Sequence, residues 1–422
     1  MRPRPRARAA AGAWGGGVMA GHEVGAMTQK PPLVSVVITT RNRATVLPGA
    51  LDSVFAQAGR GREFDLEVIV VDDASDDETP QVAGRYPTVR FIRLPVNRGI
   101  SRARNAGIEV CRGDYVAFLD DDDVWLPHKL RLQVSAMVAH PEIGVVYSQA
   151  VVRFQDRESV CPDSRTAPSG DIFRRLLLQN FCGNTLGVLL RRDALEPARF
   201  TETLPIGEDF DLWLRLAHRV PFLFVPGIVA VYQRSLDGSW SKMIADGTFA
   251  RAMHTVVEGA LALRAEPGSS RLARKIRANV DLSVAWELVV LRRYEAARHH
   301  LGLALAAFPE FAVDPGARAS LAHVAGAIAA TSAAPLAAAR EFCAIFLAEP
   351  TRGTGMWLRR RRLLADVWWE TAAIGRAEGR LDARRLGTAA VQAVLAYPPN
   401  LRRKALLALI AGGVRSRLPL RK

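Results

Sequence analysis

The chain has 422 residues, of which 49% are apolar and 23% are charged, and its net charge is +15. This length allows two or three domains, and the apolar content predicts that most of the chain folds around a core. The net charge is concentrated at the ends: residues 1–30 carry five basic and one acidic residue, and residues 397–422 carry seven basic and no acidic residues. The middle is therefore nearly neutral, which argues against a nucleic-acid-binding core.

The two basic ends suit either an anionic surface, such as a membrane leaflet, or solvated tails. We interpret residues 1–30 as a disordered basic segment, because the glycine run at 15–17 interrupts the apolar stretch that a signal peptide needs. The stretch Leu401–Leu420 fits either a helix lying on a membrane or a terminal helix packed on the protein. Four widely spaced cysteines without a CxxC pair favour a reducing compartment. We therefore expect the protein in the cytoplasm, either free or peripheral on the cytoplasmic face of the membrane.

A β-rich run without helical period, Leu33–Thr40, predicts a buried parallel strand, and apolar residues at helical spacing follow it. Further strands are predicted at Leu66–Val71, Val89–Leu94 and Val116–Leu119, separated by helical stretches. This alternation of strands and helices with short connections predicts a doubly wound α/β unit, in which a mostly parallel sheet is flanked by helices.

Three of the predicted strands end in polar residues. Thr39–Arg41 close the first, Asp72 and Asp73 the second, and four consecutive aspartates, Asp120–Asp123, the fourth. Right-handed crossovers bring the carboxyl ends of parallel strands to one edge of the sheet, so these residues are expected to line one crevice. Adjacent carboxylates repel one another, and a bound cation relieves that repulsion. A solvated acidic turn is the alternative for such a run, but the agreement among strand ends favours a metal site.

The α/β pattern continues beyond the aspartates. The sequence predicts a helix at Pro127–His140, a strand at Ile143–Val152, a polar loop at 153–170, a helix at Asp171–Gln179, a strand near Leu186–Leu190 and two short β segments, Phe222–Val225 and Ile228–Tyr232. Between these last elements, Glu208 and Asp209 open a helix, where the helix dipole favours acidic residues.

From about residue 250, alanine, leucine and arginine dominate with helical period, and strand signals nearly vanish. We therefore expect an α/β domain over residues 31–250 followed by an all-α region over residues 251–422. Residues 293–309 resemble the second helix of a tetratricopeptide unit, and residues 380–398 resemble it weakly. Two helix pairs are too few to establish such a repeat, so an ordinary helical bundle is the favoured interpretation.

Six motifs in this order resemble those of family 2 glycosyltransferases of the nucleotide-sugar-dependent type. They are Val34–Asn42, Val70–Ser75, Asn97–Asn105, Gly113–Tyr115, Phe118–Pro127 and Gly207–Trp213. The resemblance covers roughly residues 33–242 and implies a GT-A-like, Rossmann-like fold. It also implies a nucleotide-diphospho-sugar donor, a divalent cation (Mn²⁺ or Mg²⁺) and inversion at the anomeric carbon by a single displacement.

The resemblance also implies which residues carry the chemistry. The Asp-x-Asp motif of the family falls on Asp120 and Asp122, which are therefore the expected metal ligands. Asp122 is the main expected contact, with Asp120 and Asp121 nearer the metal or the ribose, and four adjacent aspartates leave this register open by one. Carboxylate oxygens suit hard cations, which neutralise the charge that develops on a leaving diphosphate. Asp209 aligns with the catalytic carboxylate, and Glu208 replaces it if the register shifts by one. The alternative for this acidic pair is a helix start stabilised by the dipole.

Other positions are implied to bind the nucleotide sugar. Thr39 and Arg41 match positions that border the base and ribose, and Asp73 matches the acid that accepts a hydrogen bond from a pyrimidine ring. Arg104 is implied to contact a donor phosphate, with a structural salt bridge as an equal alternative. Asn105 is interpreted as a brace for the backbone.

The expected function is sugar transfer to a hydroxyl of a glycan, glycolipid or surface-polysaccharide acceptor. The Gln-x-x-Arg-Trp signature of processive members is absent and no membrane helices follow, so we expect one sugar to be added at a time. The alternative is a non-catalytic protein that binds nucleotide and recruits partners through its helical C-terminal region. A nucleotidyltransferase is disfavoured, because the first strand is not followed by a glycine-rich phosphate loop.

Overall fold

In a computed structural model of the protein, the described residues are 30–154, 157–234, 238–265, 267–268, 270–314, 317–332, 334–347 and 354–377, with isolated positions between 381 and 396. The predicted disordered segment lies outside these residues except for Lys30, and the predicted membrane-surface stretch Leu401–Leu420 lies outside them entirely. None of the described helices is long and apolar enough to cross a membrane.

The described residues contain one sheet and a series of helices. The strands are β1 (Leu33–Thr40), β2 (Asp65–Asp72), β3 (Val89–Arg93), β4 (Tyr115–Asp120), β5 (Val124–Trp125), β6 (Val145–Phe154), β7 (Arg157–Cys161), β8 (Val188–Arg191) and β9 (Phe222–Arg234). The helices are α1 (Leu47–Phe55), α2 (Thr79–Ala83), α3 (Ile100–Val110), α4 (Lys129–Ala139), α5 (Phe173–Leu178), α6 (Arg192–Leu195), α7 (Glu208–Ala217), α8 (Ser239–Ala245), α9 (Thr248–Leu263), α10 (Arg271–Val290), α11 (Tyr294–Ala307), α12 (Arg318–Thr331), α13 (Pro335–Leu347) and α14 (Thr354–Ala377). Short 3₁₀ turns occupy Thr185–Gly187 and Pro309–Val313.

The first half of the sheet is parallel, in the order β3-β2-β1-β4. Its strands are short apolar runs rich in β-branched residues, which suits a sheet covered on both faces. The register places Thr40 opposite Asp72 and Thr39 opposite Asp120. The predicted α/β fold is therefore confirmed, and the polar strand ends lie on one edge of the sheet.

The second half of the sheet is mixed, which the sequence did not indicate. From β4 the order continues β8-β6-β9-β5; β8 is antiparallel to both neighbours, β6 and β9 are parallel, and β5 and β9 are antiparallel. The predicted loop at 153–170 contains β7, which forms a hairpin with β6. The two predicted β segments after residue 222 are one strand, β9, whose register against β6 shifts on both sides of Gln149.

Two hydrophobic clusters cover the two faces of the sheet. Side chains alternate along a strand, so Val36 and Ile38 of β1 join the cluster of α1 and α4, whereas Val37 joins that of α3, α7 and α9. Helix α3 packs close to β1: a Cβ added at Gly107 would lie 2.4 Å from Cγ1 of Val37. This close contact holds the second half of α3 against the middle of β1.

The all-α C-terminal region is confirmed over the described residues. Helices α10 to α14 share a further hydrophobic cluster, to which Ile244 of α8 and Ala250 of α9 also belong. However, α9 and the beginning of α10, through Ala273 and Ile276, belong to the same cluster as the sheet and α7. The core of the α/β unit therefore continues past residue 250, where the predicted domain boundary lies.

The contact between Gly113 and β1 leads to a stability prediction. A Cβ at Gly113 would lie 2.6 Å from the backbone nitrogen of Ser35 and 2.8 Å from the carbonyl oxygen of Leu33, so Gly113→Ala should destabilise the protein by about 1–3 kcal/mol. Gly49 in α1 has nothing within 4 Å of such a Cβ, and Gly49→Ala should stabilise it by about 0.5–1 kcal/mol. Urea unfolding measures both changes, and equal values would contradict this packing.

Candidate active site

The loops after β1 and β2 are joined by side-chain hydrogen bonds. Asn42, which has a positive φ of 53°, accepts a hydrogen bond from the backbone N–H of Asp76 at 2.7 Å. The N–H of Asn42 donates to Oγ of Ser75 at 2.9 Å, and Ser75 in turn bonds to the buried carboxylate of Asp72. Asp72 is therefore part of the support of the crevice, and Arg41 is exposed at its rim.

Asp73 holds the loop that precedes α3. Its Oδ1 accepts the N–H of Arg98 and its Oδ2 accepts the N–H of Gly99, both at 2.8 Å. The side chain is buried. Each carboxylate oxygen has a second lone pair, so the expected hydrogen bond from a donor base remains a prediction.

A buried guanidinium joins the end of β4 to the start of α7. Arg104 of α3 donates from Nη2 to Asp120 and from Nη1 to Glu208, both at 2.6 Å, and its side chain is only 3% exposed. The guanidinium also lies 5.2 Å from the centre of the Phe200 ring. Burial opposes the charge of Arg104, but Asp120 and Glu208 more than compensate and raise its pKa above the ordinary value.

This geometry bears on two expected roles: it favours the structural salt bridge over a donor-phosphate contact for Arg104, and it limits Glu208 as a substitute base. Arg104 was expected at a donor phosphate; instead, both of its terminal nitrogens bind carboxylates inside the fold, so the alternative of a structural salt bridge is the observed one. Glu208 was expected as a substitute base, but its carboxylate is buried against Arg104. The predicted bracing role of Asn105 is confirmed, because its side chain bonds to both the N–H and the carbonyl of Phe200.

Asp209 is the second residue of α7 and is half-buried. Burial and the adjacent Glu208 carboxylate raise its pKa to about 7, although Arg104 acts in the opposite direction. Its Oδ1 accepts the N–H of Phe210 at 2.6 Å. A carboxylate with a pKa near neutrality suits a general base, because it is largely ionised above pH 7 yet basic enough to take a proton.

The four aspartates separate into an exposed pair and a buried pair. The side chains of Asp120 and Asp122 are 25% and 40% exposed, and Arg43 lies 3.5 Å from Asp122. Asp121 and Asp123 are buried. Burial raises the pKa of Asp121 to about 7 and that of Asp123 to about 9, and the neighbouring carboxylates add to both shifts.

Asp123 links the aspartate run to the far side of the sheet. Its Oδ1 accepts the N–H of Gln233 in β9 at 3.1 Å. The next two residues form β5, which pairs with β9. The sequence did not reveal this connection, because two strand residues carry no periodicity and the partner lies 110 residues away. The contact of Arg43 with Asp122 was also missed, because the two residues lie far apart in the sequence.

The exposed pair fits a divalent cation by the chemistry of its donors. Asp120 and Asp122 present carboxylate oxygens, which Mg²⁺ and Mn²⁺ prefer, and burial and Asp120 raise the pKa of Asp122, so negative charge here is incompletely balanced. In the part of the chain that the structure describes, no group of three or more histidine, cysteine or acidic residues could surround an ion. A cation held here would take its remaining ligands from donor phosphates and water, as Mg²⁺ commonly does.

Comparison with known families identifies the α/β unit. Residues 35–196 match the family model described as glycosyl transferase family 2. These residues form a family 2 glycosyltransferase domain. The matched part contains the strand ends and all four aspartates of the family 2 domain, but it ends before Glu208 and Asp209.

Curated relatives of the family 2 domain include both named and uncharacterised proteins. The succinoglycan biosynthesis protein ExoO of Rhizobium meliloti is 34% identical over 195 residues, which cover 43% of this chain and 55% of ExoO. An uncharacterised protein of Mycobacterium tuberculosis is 32% identical over 227 residues, covering 50% of this chain and 62% of that protein. The chain thus spans less than two thirds of these relatives.

Two solved structures resemble the chain. Residues 1–349 of TarS from S. aureus share 17% identity with a TM-score of 0.44, covering 82% of this chain and 91% of that one. The mannosyltransferase PcManGT from Pyrobaculum calidifontis, in complex with GDP-Man and Mn²⁺, shares 19% identity with a TM-score of 0.45, covering 81% of this chain and 87% of that one.

The salt bridge of the family 2 domain leads to a second stability prediction. Arg104→Met leaves the buried Glu208 carboxylate and the partly exposed Asp120 carboxylate unpaired and should lower the free energy of unfolding by about 3–5 kcal/mol. Adding Glu208→Gln should restore part of that loss, because one of the two charges is removed. Arg165→Met, which removes an exposed pair with Asp163, is the control and should cause no measurable change in urea unfolding. Equal effects of Arg104→Met and this control would contradict the assignment.

Proposed function

We propose that the protein is a glycosyltransferase that moves a sugar from a nucleotide-diphospho-sugar to an acceptor hydroxyl. The observation that carries this proposal is the Arg104 bridge, because it brings the end of β4, with Asp120 and Asp122, beside the start of α7, with Asp209. A cation site and a carboxylate of near-neutral pKa then border one crevice in a family 2 domain. Sugar transfer with a diphosphate leaving group needs both features.

The proposed step is a single displacement. The acceptor oxygen attacks the anomeric carbon and gives its proton to Asp209, while the bond between that carbon and the diphosphate oxygen breaks and its electrons leave with the diphosphate. Because Oδ1 of Asp209 already accepts the Phe210 N–H, Oδ2 is the proposed proton acceptor. A bound Mn²⁺ or Mg²⁺ supplies charge neutralisation for the leaving group. Attack opposite the leaving group inverts the anomeric configuration.

The proposed donor contacts lie at the carboxyl edge of the parallel strands. Arg41 is exposed at the rim, whereas Thr39, Asp73 and Asp121 are buried below it. Arg41 is therefore the most accessible side chain of this set, and the buried residues shape the floor on which the nucleotide is proposed to rest. Arg104 is not part of this set, because it lies inside the fold.

The acceptor is proposed to be a glycan, glycolipid or polysaccharide, extended by one sugar at a time. The relative ExoO is named for succinoglycan biosynthesis, which supports a polysaccharide acceptor. We place the reaction in the cytoplasm or at the cytoplasmic face of the membrane. The absence of a spanning helix among the described residues is consistent with either location.

A screen of nucleotide sugars tests the proposed activity. With Mn²⁺ or Mg²⁺ present, one donor should be hydrolysed or transferred, and EDTA should abolish the reaction. Asp122→Ala removes a proposed metal ligand and should lower turnover by about 10²–10³-fold. Asp163→Ala, at an exposed site, is the matched control. Turnover in EDTA would contradict the metal site, and nucleotide binding without turnover of any donor would support the non-catalytic alternative.

The pKa of Asp209 gives a pH prediction. A general base acts when ionised, so the rate should rise as the pH increases through about 7, where Asp209 loses its proton. Asp209→Asn keeps the size of the side chain and should lower kcat by about 10²–10⁴-fold. A pH–rate profile from pH 5.5 to 8.5 checks this. A flat profile, or full activity of the asparagine variant, would exclude Asp209 as the base.

A further inference from the structure

Helix α9 touches the turn that leads into Asp209. Gly207, the residue before α7, is buried and adopts a left-handed conformation with φ 80° and ψ 15°. A Cβ added there would lie 1.9 Å from the terminal methyl carbon of Met253 in α9. The methyl group of Met253 therefore fills the space directly against the backbone two residues before the proposed base.

Met253 lies at a packed position of α9. It is buried in the same hydrophobic cluster as Phe210 and Trp213 of α7. The residue after it, His254, lies 3.3 Å from the buried carboxylate of Asp281 in α10, which is also 2.8 Å from His300 in α11. Helix α9 is thus packed on α7 on one side and joined to the helical region on the other.

We propose that Met253 is a positioning residue for Asp209, and that α9 thereby completes the catalytic site of the family 2 domain. This inference rests on the proposed role of Asp209 as the base. It gives the beginning of the helical region a function in the reaction itself, in place of partner recruitment alone.

Other contacts at the start of α7 involve its acidic side chains, whereas Met253 contacts the backbone turn at Gly207. Glu208 is held by Arg104, and Asp211 accepts a hydrogen bond from the Thr201 hydroxyl at 2.7 Å. These contacts hold side chains on either side of Asp209, whereas the backbone at the turn is held by the Gly207 carbonyl, which accepts the Asp211 N–H at 3.0 Å. The Gly207 turn sets that entry direction, and Met253 packs on it. A shortened side chain at residue 253 would let the turn relax and Asp209 shift.

Substitution of Met253 tests the proposal through kcat and through hydrogen exchange. Met253→Ala should lower kcat by about 10–100-fold, as expected for a small displacement of a reacting group, and leave the KM for the donor unchanged. Met253→Leu conserves volume and should retain activity. Independently of activity, hydrogen exchange of peptides covering residues 204–214 should be faster in Met253→Ala than in the wild-type protein.

Two controls separate positioning from general destabilisation. Leu288→Ala truncates a buried residue of the separate helical cluster and should lower the thermal midpoint without changing kcat. In a double-mutant cycle, Gly207→Ala should be less harmful in the Met253→Ala background, because the clash with the methyl group is gone.

The outcomes distinguish this proposal from the proposed function. If the wild-type protein transfers sugar and Met253→Ala keeps wild-type kcat, the positioning role is overturned. If the wild-type protein transfers no sugar, the proposed function fails, and hydrogen exchange alone decides whether Met253 holds the turn. Unchanged hydrogen exchange in Met253→Ala would overturn the role of Met253 in holding the turn.

Discussion

The Arg104 guanidinium lies 2.6 Å from both the Asp120 and the Glu208 carboxylates, in the interior between α3, β4 and α7. A buried charge is costly unless it is paired and hydrogen-bonded, so this one cation fixes where two acidic elements of the chain meet. One guanidinium serves several carboxylates here, because Asp209 is also within its electrostatic reach. Burial, and after it the neighbouring Glu208 carboxylate, raise the pKa of Asp209 in spite of Arg104.

The four aspartates, Asp120–Asp123, differ in burial. Asp121 and Asp123 are buried, and Asp123 binds β9, whereas Asp120 and Asp122 are more exposed and lie next to Arg104 and Arg43. The strand end is thereby anchored on both sides, by Arg104 and by Gln233. Anchoring of this kind keeps Asp120 and Asp122 in place without a ligand, so little ordering would be needed on binding the proposed donor.

The parallel half of the sheet and its polar edge could be predicted, because buried strands read as apolar runs and three of the four runs end in polar residues. The antiparallel half could not, because β5 has two residues and the hairpin of β6 and β7 lies in a polar stretch. The partner of Arg104 was undecidable from sequence, since a phosphate and a carboxylate are equally good partners and burial alone separates them. The contact of Met253 with Gly207 follows no motif and crosses the expected domain boundary.

The central claim is that a cation-bound leaving group and the Asp209 base act in one displacement across a single crevice. The stereochemistry of the product tests this most directly. Proton NMR of the first-formed glycoside reports whether its anomeric configuration differs from that of the donor. The account predicts the opposite configuration. A product that retains the donor configuration would contradict it, because a single displacement assisted by a base on the acceptor side cannot retain.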